Sequence, residues 1–239
     1  MKMMATAFAT LLAMVFTTVP ARAQEDKWQF EITPYLWAAG FKGDVTVQGR
    51  TASIDKSFND LLQYVDTAGS VMGRVQYGQW VLWGQADYMD LSDDLNTPAG
   101  GKLESEITIT TVAVGYQFGG WKEGQTFDVM IGQQRLSLDN TLTLNAIGTF
   151  ETKRTIDDTV LVVRPRLPLS ERWQLNPDLA YGKGDSEKTW TLWPQFEYQI
   201  TKTWETRIGY RLLHYDIQNG NNKFDGDLRG FTLGLGATF

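Results

Sequence analysis

The chain has 239 residues, a formal net charge of −6, one histidine and no cysteine. A sequence pI near 4.9 argues against a phosphate-backbone partner, and so against nucleic acid. Without cysteine, disulfide staples and thiolate metal sites are excluded.

The first predicted element is a leader. Lys2 precedes an apolar stretch over about 5–19, and Ala21-Arg22-Ala23 follows. That series reads as a secretory signal peptide over 1–23 with cleavage after Ala23. It falls short of the roughly 20 apolar residues a spanning helix needs. Residues 24–239 are then one exported all-β domain. No later apolar run is long enough to cross a bilayer as a helix, so a membrane location demands a closed barrel.

Ten strands are predicted after the leader, at about 27–39, 69–78, 80–90, 104–118, 126–137, 157–169, 173–183, 187–199, 203–216 and 227–239. Short turns ("GQW", "GGWKEGQ", "LSER", "ITK") alternate with longer stretches at 40–68, 91–103, 138–156 and 217–226. Residues 183–187 are a brief exception. Short periplasmic turns with long external loops describe an antiparallel transmembrane β-barrel of about ten strands, with eight or twelve as alternatives. An even count leaves both termini on the short-turn side.

Within the first long connection, "SFNDLLQYVD" carries the one helical signal. Ser57 followed by Asp60 reads as a capping box, and Phe58, Leu61, Leu62 and Val65 recur at helical spacing. Such a helix would line or plug the barrel mouth, or pack under its loop.

Period two sorts every strand into two faces. One is apolar, as in Phe30, Ile32 and Leu36 or Val112, Val114 and Tyr116. The other carries Glu31, Arg74, Asp87, Asp128, Arg164, Arg166, Asp178, Glu197, Arg207 and Arg211. In a barrel these charges form a polar network in the interior. The turn about 170–172 sets Arg164 opposite Asp178, and the turn about 200–202 sets Arg207 diagonally above Glu197. A soluble sandwich with its polar face outward would show the same alternation. The rings decide against it: Trp28, Tyr77, Trp80, Phe118, Phe127, Trp173, Tyr198 and Trp204 all fall near short-turn ends. A soluble core has no reason to place aromatics at one height, whereas a membrane interface does.

His214 shares the parity of Ile208, Tyr210 and Leu212, which makes it a wall or rim histidine. A catalytic role would need a carboxylate or serine within hydrogen-bond reach. No esterase, zinc-protease or phosphate-loop motif is present, so the chain is expected to be non-enzymatic, with no cofactor. "NGNNKFDGD" at 219–227 is rich in oxygen ligands but lacks the spacing of a calcium loop. Its Asn-Gly and Asp-Gly steps read as turn formers, and no metal site is expected. Arg211 and Arg229, near the expected outer rim, are candidates to meet lipopolysaccharide phosphates.

The segments "WQFEITPYLW", "SFNDLLQYVD", "GYRLLHYD" and the terminal "LGLGATF" resemble a family of proteobacterial outer-membrane proteins, the small porin-like or OmpW-like β-barrels. The resemblance spans nearly the whole mature chain. It implies an outer-membrane location, contact with lipid and lipopolysaccharide, and a terminal Phe239 that serves as assembly signal for the barrel-insertion machinery. It implies no reaction. Three roles follow: a narrow passive channel or binding barrel for small or amphipathic solutes, a structural or surface-contact barrel, and a rim enzyme acting on lipid or peptide.

Overall fold

The computed structural model describes residues 27–47, 49–94, 100–145 and 148–239. The leader over 1–23 lies outside the described residues. Thirteen strands form one antiparallel sheet. They are β1 (Trp28–Val47), β2 (Arg50–Lys56), β3 (Val65–Tyr77), β4 (Trp80–Asp94), β5 (Lys102–Gly119), β6 (Thr126–Leu144) and β7 (Gly148–Pro168). There follow β8 (Trp173–Leu175), β9 (Asp178–Gly184), β10 (Lys188–Trp193), β11 (Gln195–Gln199), β12 (Trp204–Asn219) and β13 (Asn222–Thr238). Among the described residues one helix, α1 (Phe58–Leu62), lies between β2 and β3.

The sheet closes because β13 pairs with β1 from Glu31↔Thr238 up to Thr46↔Lys223. Phe239 finishes the closure by exchanging two backbone hydrogen bonds with Phe30, at 2.9 and 3.0 Å. β8 and β9 make one wall strand interrupted at Asn176-Pro177, and β10 and β11 make another interrupted at Pro194. Proline lacks the ladder donor, so the ladder breaks at each. The breaks face each other, and Asn176 N donates to Gln195 O across them at 2.8 Å. With β2 outside the ring, ten wall strands remain.

The sequence reading needs correction at the long connections. Much of each stretch expected as an external loop is strand. β6 and β7 stay paired out to Leu144↔Gly148, and β12 and β13 out to Asn219↔Asn222. "GTFETKRT" has only Phe150 as an apolar residue, and "TLTLN" sets Leu142 and Leu144 against threonines with no charged face, yet threonine suits a solvated ladder well. The β12–β13 hairpin turns tightly because Gly220 takes a left-handed φ of 58°.

The outward face is apolar and exposed. Ile32, Leu36, Val112, Val114, Ile131, Ile208, Phe231 and Leu233 each leave about half or more of their surface open. A soluble protein rarely shows so continuous an apolar band. The opposite, inward face buries arginines and carboxylates such as Arg74, Asp128, Arg164, Asp178, Arg207 and Arg211.

Candidate functional site

The wall presents its charges to one another across the lumen. On the short-turn half, Arg74 from β3 reaches Asp128 of β6 through Nε (2.8 Å) and Nη2 (3.1 Å), and Glu31 of β1 through Nη1 (3.2 Å). Arg166 of β7 donates to both Glu31 oxygens, at 2.7 and 2.8 Å. Arg207 of β12 binds Glu205 beside it, Glu197 at 3.1 Å and Glu31 at 3.6 Å. Arg164 meets Asp178 at 2.5 Å, and Gln195 donates to the other Asp178 oxygen at 3.1 Å. The register sets Arg207 directly opposite Glu197 rather than diagonally above it. The turn after β11 centres on Lys202, one residue later than the sequence reading placed it, which moves each partner by two residues and so keeps both side chains inward.

A second layer lies above. Arg211 donates to Asp87 at 2.8 Å, and Tyr35 and Gln85 complete that carboxylate at 2.6 and 2.8 Å. The Arg211 guanidinium lies 4.3 Å from the Trp37 ring centre and 5.1 Å from that of Trp193, so this buried arginine does not reach the rim to meet lipopolysaccharide as the sequence suggested. Arg164 similarly covers Trp83 at 5.0 Å. These inward aromatics, with Tyr215, belong to the site and were missed in the sequence, although their parity placed them on the charged face. Asp158 was missed too; it is fully buried and holds Ser186 through N (2.9 Å) and Oγ (2.7 Å).

Toward the outer end the interior turns apolar. Trp37, Ala39, Ile109, Leu136, Ile156 and Ile217 pack in one cluster. Beside it lies a cavity of about 430 Å³ lined by Trp37, Ala39, Met89, Ile107 and Ile109, with Asp87 at its polar edge. α1 contributes Phe58 and Leu62 to the cavity lining. The capping box forms as expected, with Asp60 N to Ser57 Oγ at 3.3 Å and Ser57 N to Asp60 Oδ2 at 2.9 Å. No residue of α1 is buried, so it makes no separate mini-core. Val65 opens β3 instead of ending the helix.

The rings near the short turns sit in register. Trp28 pairs with Tyr77, Tyr77 with Trp80, Trp80 with Tyr116, Phe118 with Phe127, and Trp173 with Tyr198. Trp28–Tyr77 and Trp173–Tyr198 stand 4.8 and 4.9 Å apart at their ring centres. Trp204 is paired with Ala237 on the same rim. Trp121, in the β5–β6 turn, packs on Phe127 at 5.2 Å and extends the belt. Phe239 points outward there, largely exposed.

His214 lies on the outer side of the wall. Its ring stacks on Trp190 at 5.3 Å, and Nδ1 lies 2.9 Å from Asp227 Oδ1. Asp225 stands 3.9 Å from Nε2, so the histidine is flanked by two acids. Among the described residues no group of His, Cys, Asp and Glu is arranged to hold a metal ion.

A family model for the outer membrane protein beta-barrel domain matches residues 9–239. The chain belongs to that family. Its place is therefore the outer membrane, and the exposed apolar band is the lipid-facing wall. The protease OmpT from Escherichia coli is similar in fold, with a TM-score of 0.50 and 10% identity over 93% of this chain and 99% of that one. The translocator domain of the autotransporter NalP from Neisseria meningitidis gives a TM-score of 0.47 at 9% identity, covering 98% and 96%. The toluene transporter TodX from P. putida gives 0.33 at 9%, covering 90% of each chain. No curated protein matches the chain.

Proposed function

We propose that this protein is a closed binding barrel for small amphipathic solutes rather than an open pore. One observation carries the reading: an apolar cavity of about 430 Å³ lies directly above a floor of mutually paired charges. Ligand sites are concave, mostly apolar, and marked by a few placed polar groups. Here Asp87 supplies the polar edge, held in place by Tyr35 and Arg211. The expected result is saturable, single-site binding of the fluorescent apolar probe N-phenyl-1-naphthylamine to the barrel in lipid nanodiscs. A signal that only rises linearly, as in empty nanodiscs, would reject the reading and leave a structural barrel.

His214 supports a second reading. An acid–histidine pair at 2.9 Å is part of a hydrolytic constellation. The stack on Trp190 and the wall-facing position favour a structural pair instead. His214→Ala is therefore expected to preserve every lipid- or peptide-directed phenotype of the wild type, measured with folding confirmed. Loss of a hydrolytic activity in a folded variant would promote the enzyme.

A further inference from the structure

The barrel wall has a seam. β1 pairs with β3 only from Trp28↔Tyr77 to Tyr35↔Ser70, and above that point the two strands separate. From Phe41 onward β1 pairs with β2 instead. Residues 36–40 of β1 keep their β13 partners, and residues 65–69 of β3 keep β4, with the exception of Asp66 at a bulge. Neither stretch has a strand partner across the seam. A sheet edge facing hydrocarbon leaves backbone donors and acceptors without partners, which barrel walls otherwise avoid. α1 leans over this gap. On one side the chain around Lys56 and Phe58 lies against Gly40, and on the other Tyr64 O accepts from Ser92 N at 2.7 Å.

The gap joins two spaces. Outside it, a groove of about 500 Å³ runs over Pro34, Leu36, Gly69, Leu233 and Leu235, on the lipid-facing wall. Inside it lies the apolar cavity. Leu36, Gly69 and Ser70 line both. The seam sits where the apolar band ends, since Lys42 on β1 and Arg229 on β13 follow Leu36 and Phe231. Within the cavity, Trp37 is 8% exposed and its Nε1 meets no hydrogen-bond acceptor among the described residues. A buried indole N–H normally has one.

We propose that the seam between β1 and β3 is a lateral portal. Through it a single-chain amphiphile passes from the outer leaflet, places its hydrocarbon tail among Ala39, Met89, Ile107 and Ile109, and offers an oxygen acceptor to Trp37 Nε1. This rests on the binding-barrel reading and names its ligand class and route. The occupant is a lipid-derived chain because the entrance faces acyl chains, and because the lining is mostly apolar, with Asp66, Thr67, Ser70 and the already satisfied Asp87 as its polar residues beside the spare Trp37 donor.

Gly69 makes the test clean. A Cβ there meets nothing within 4 Å, so a side chain enters the shared space without disturbing backbone. The chain has no cysteine, so Gly69→Cys can be folded first and then labelled uniquely with benzyl methanethiosulfonate. A diazirine-bearing dodecanoic acid, photolysed in vesicles holding the full barrel, is expected to leave adducts on the inward Met89 and Ile107. Labelling of Gly69→Cys should abolish those adducts while sparing ones on lipid-facing Val112 and Ile131, and reductant should restore them. Trp37→Phe should weaken inner labelling about threefold to tenfold, the loss of one hydrogen bond. Inner adducts indifferent to the label would overturn the portal yet leave the binding barrel standing. Absence of inner adducts in the wild type overturns the portal as well. If saturable naphthylamine binding is missing too, the binding reading falls with it.

Discussion

Arg74 shows what a single residue does inside this wall. Its side chain is 2% exposed and Asp128 is fully buried, so neither charge has water to fall back on. Removing one partner of such a pair leaves the other stranded, at a cost of about 3–5 kcal/mol. Arg135 and Asp157 form an equally bidentate pair, at 2.7 and 3.0 Å, but are 61% and 43% exposed. Exposed pairs contribute only about 0–1 kcal/mol. Asp128→Ala should therefore destabilise the barrel by roughly 3–5 kcal/mol and Asp157→Ala by about 1 or less. Urea unfolding in vesicles, read by tryptophan fluorescence, checks the contrast; similar losses would mean the lumen is wet enough to hydrate a lone arginine. Strand parity made the inward set readable from sequence. The partners across the lumen were not readable, because Arg166–Glu31 spans 135 residues and depends on how the ring closes.

Among the elements, strands with one apolar and one charged face were legible and strands without such contrast were not. β5 reads plainly, and its expected span of about 104–118 falls only two residues short of its start at Lys102. The same rule hid the tops of β6 and β7. β2 was missed for a related reason: every one of its residues is exposed, so no burial pattern marks it. That miss matters, because β2 takes over the edge of β1 and so creates the seam with β3. Depth along a strand also has a consequence that can be measured. Val114 lies four residues from Phe118, roughly 13 Å along β5, within an apolar band ~25 Å tall. It packs outward between Leu82 and Ile131. Val114→Arg should cost roughly 2–4 kcal/mol and Phe118→Arg, at the aromatic rim, about 0–1. Guanidinium unfolding from bilayers of fixed thickness gives both values, and equal costs would argue that the apolar face does not lie in lipid.

At the scale of the molecule the ring of ten wall strands is only slightly wider than eight, a size at which side chains already fill the interior. This chain fills it in two tiers. The lower tier is ionic: Glu31, Asp128, Asp178, Glu197 and Glu205 are each met by Arg74, Arg164, Arg166 or Arg207. The upper tier is aromatic and aliphatic, with Trp37 and Trp193 closing on Arg211. An ion crossing the lower tier would have to part charges that hold one another in a confined space, and then cross an apolar layer that offers no solvation. On the closed-barrel reading proposed above, each tier alone would slow permeation and the two in series would block it. The reconstituted protein is accordingly expected to show no steady conductance steps in planar-bilayer recording, even at high salt and large applied voltage. Large, stable, porin-like steps would show instead that the interior charges line water, and both the plug and the binding barrel built above it would have to be abandoned.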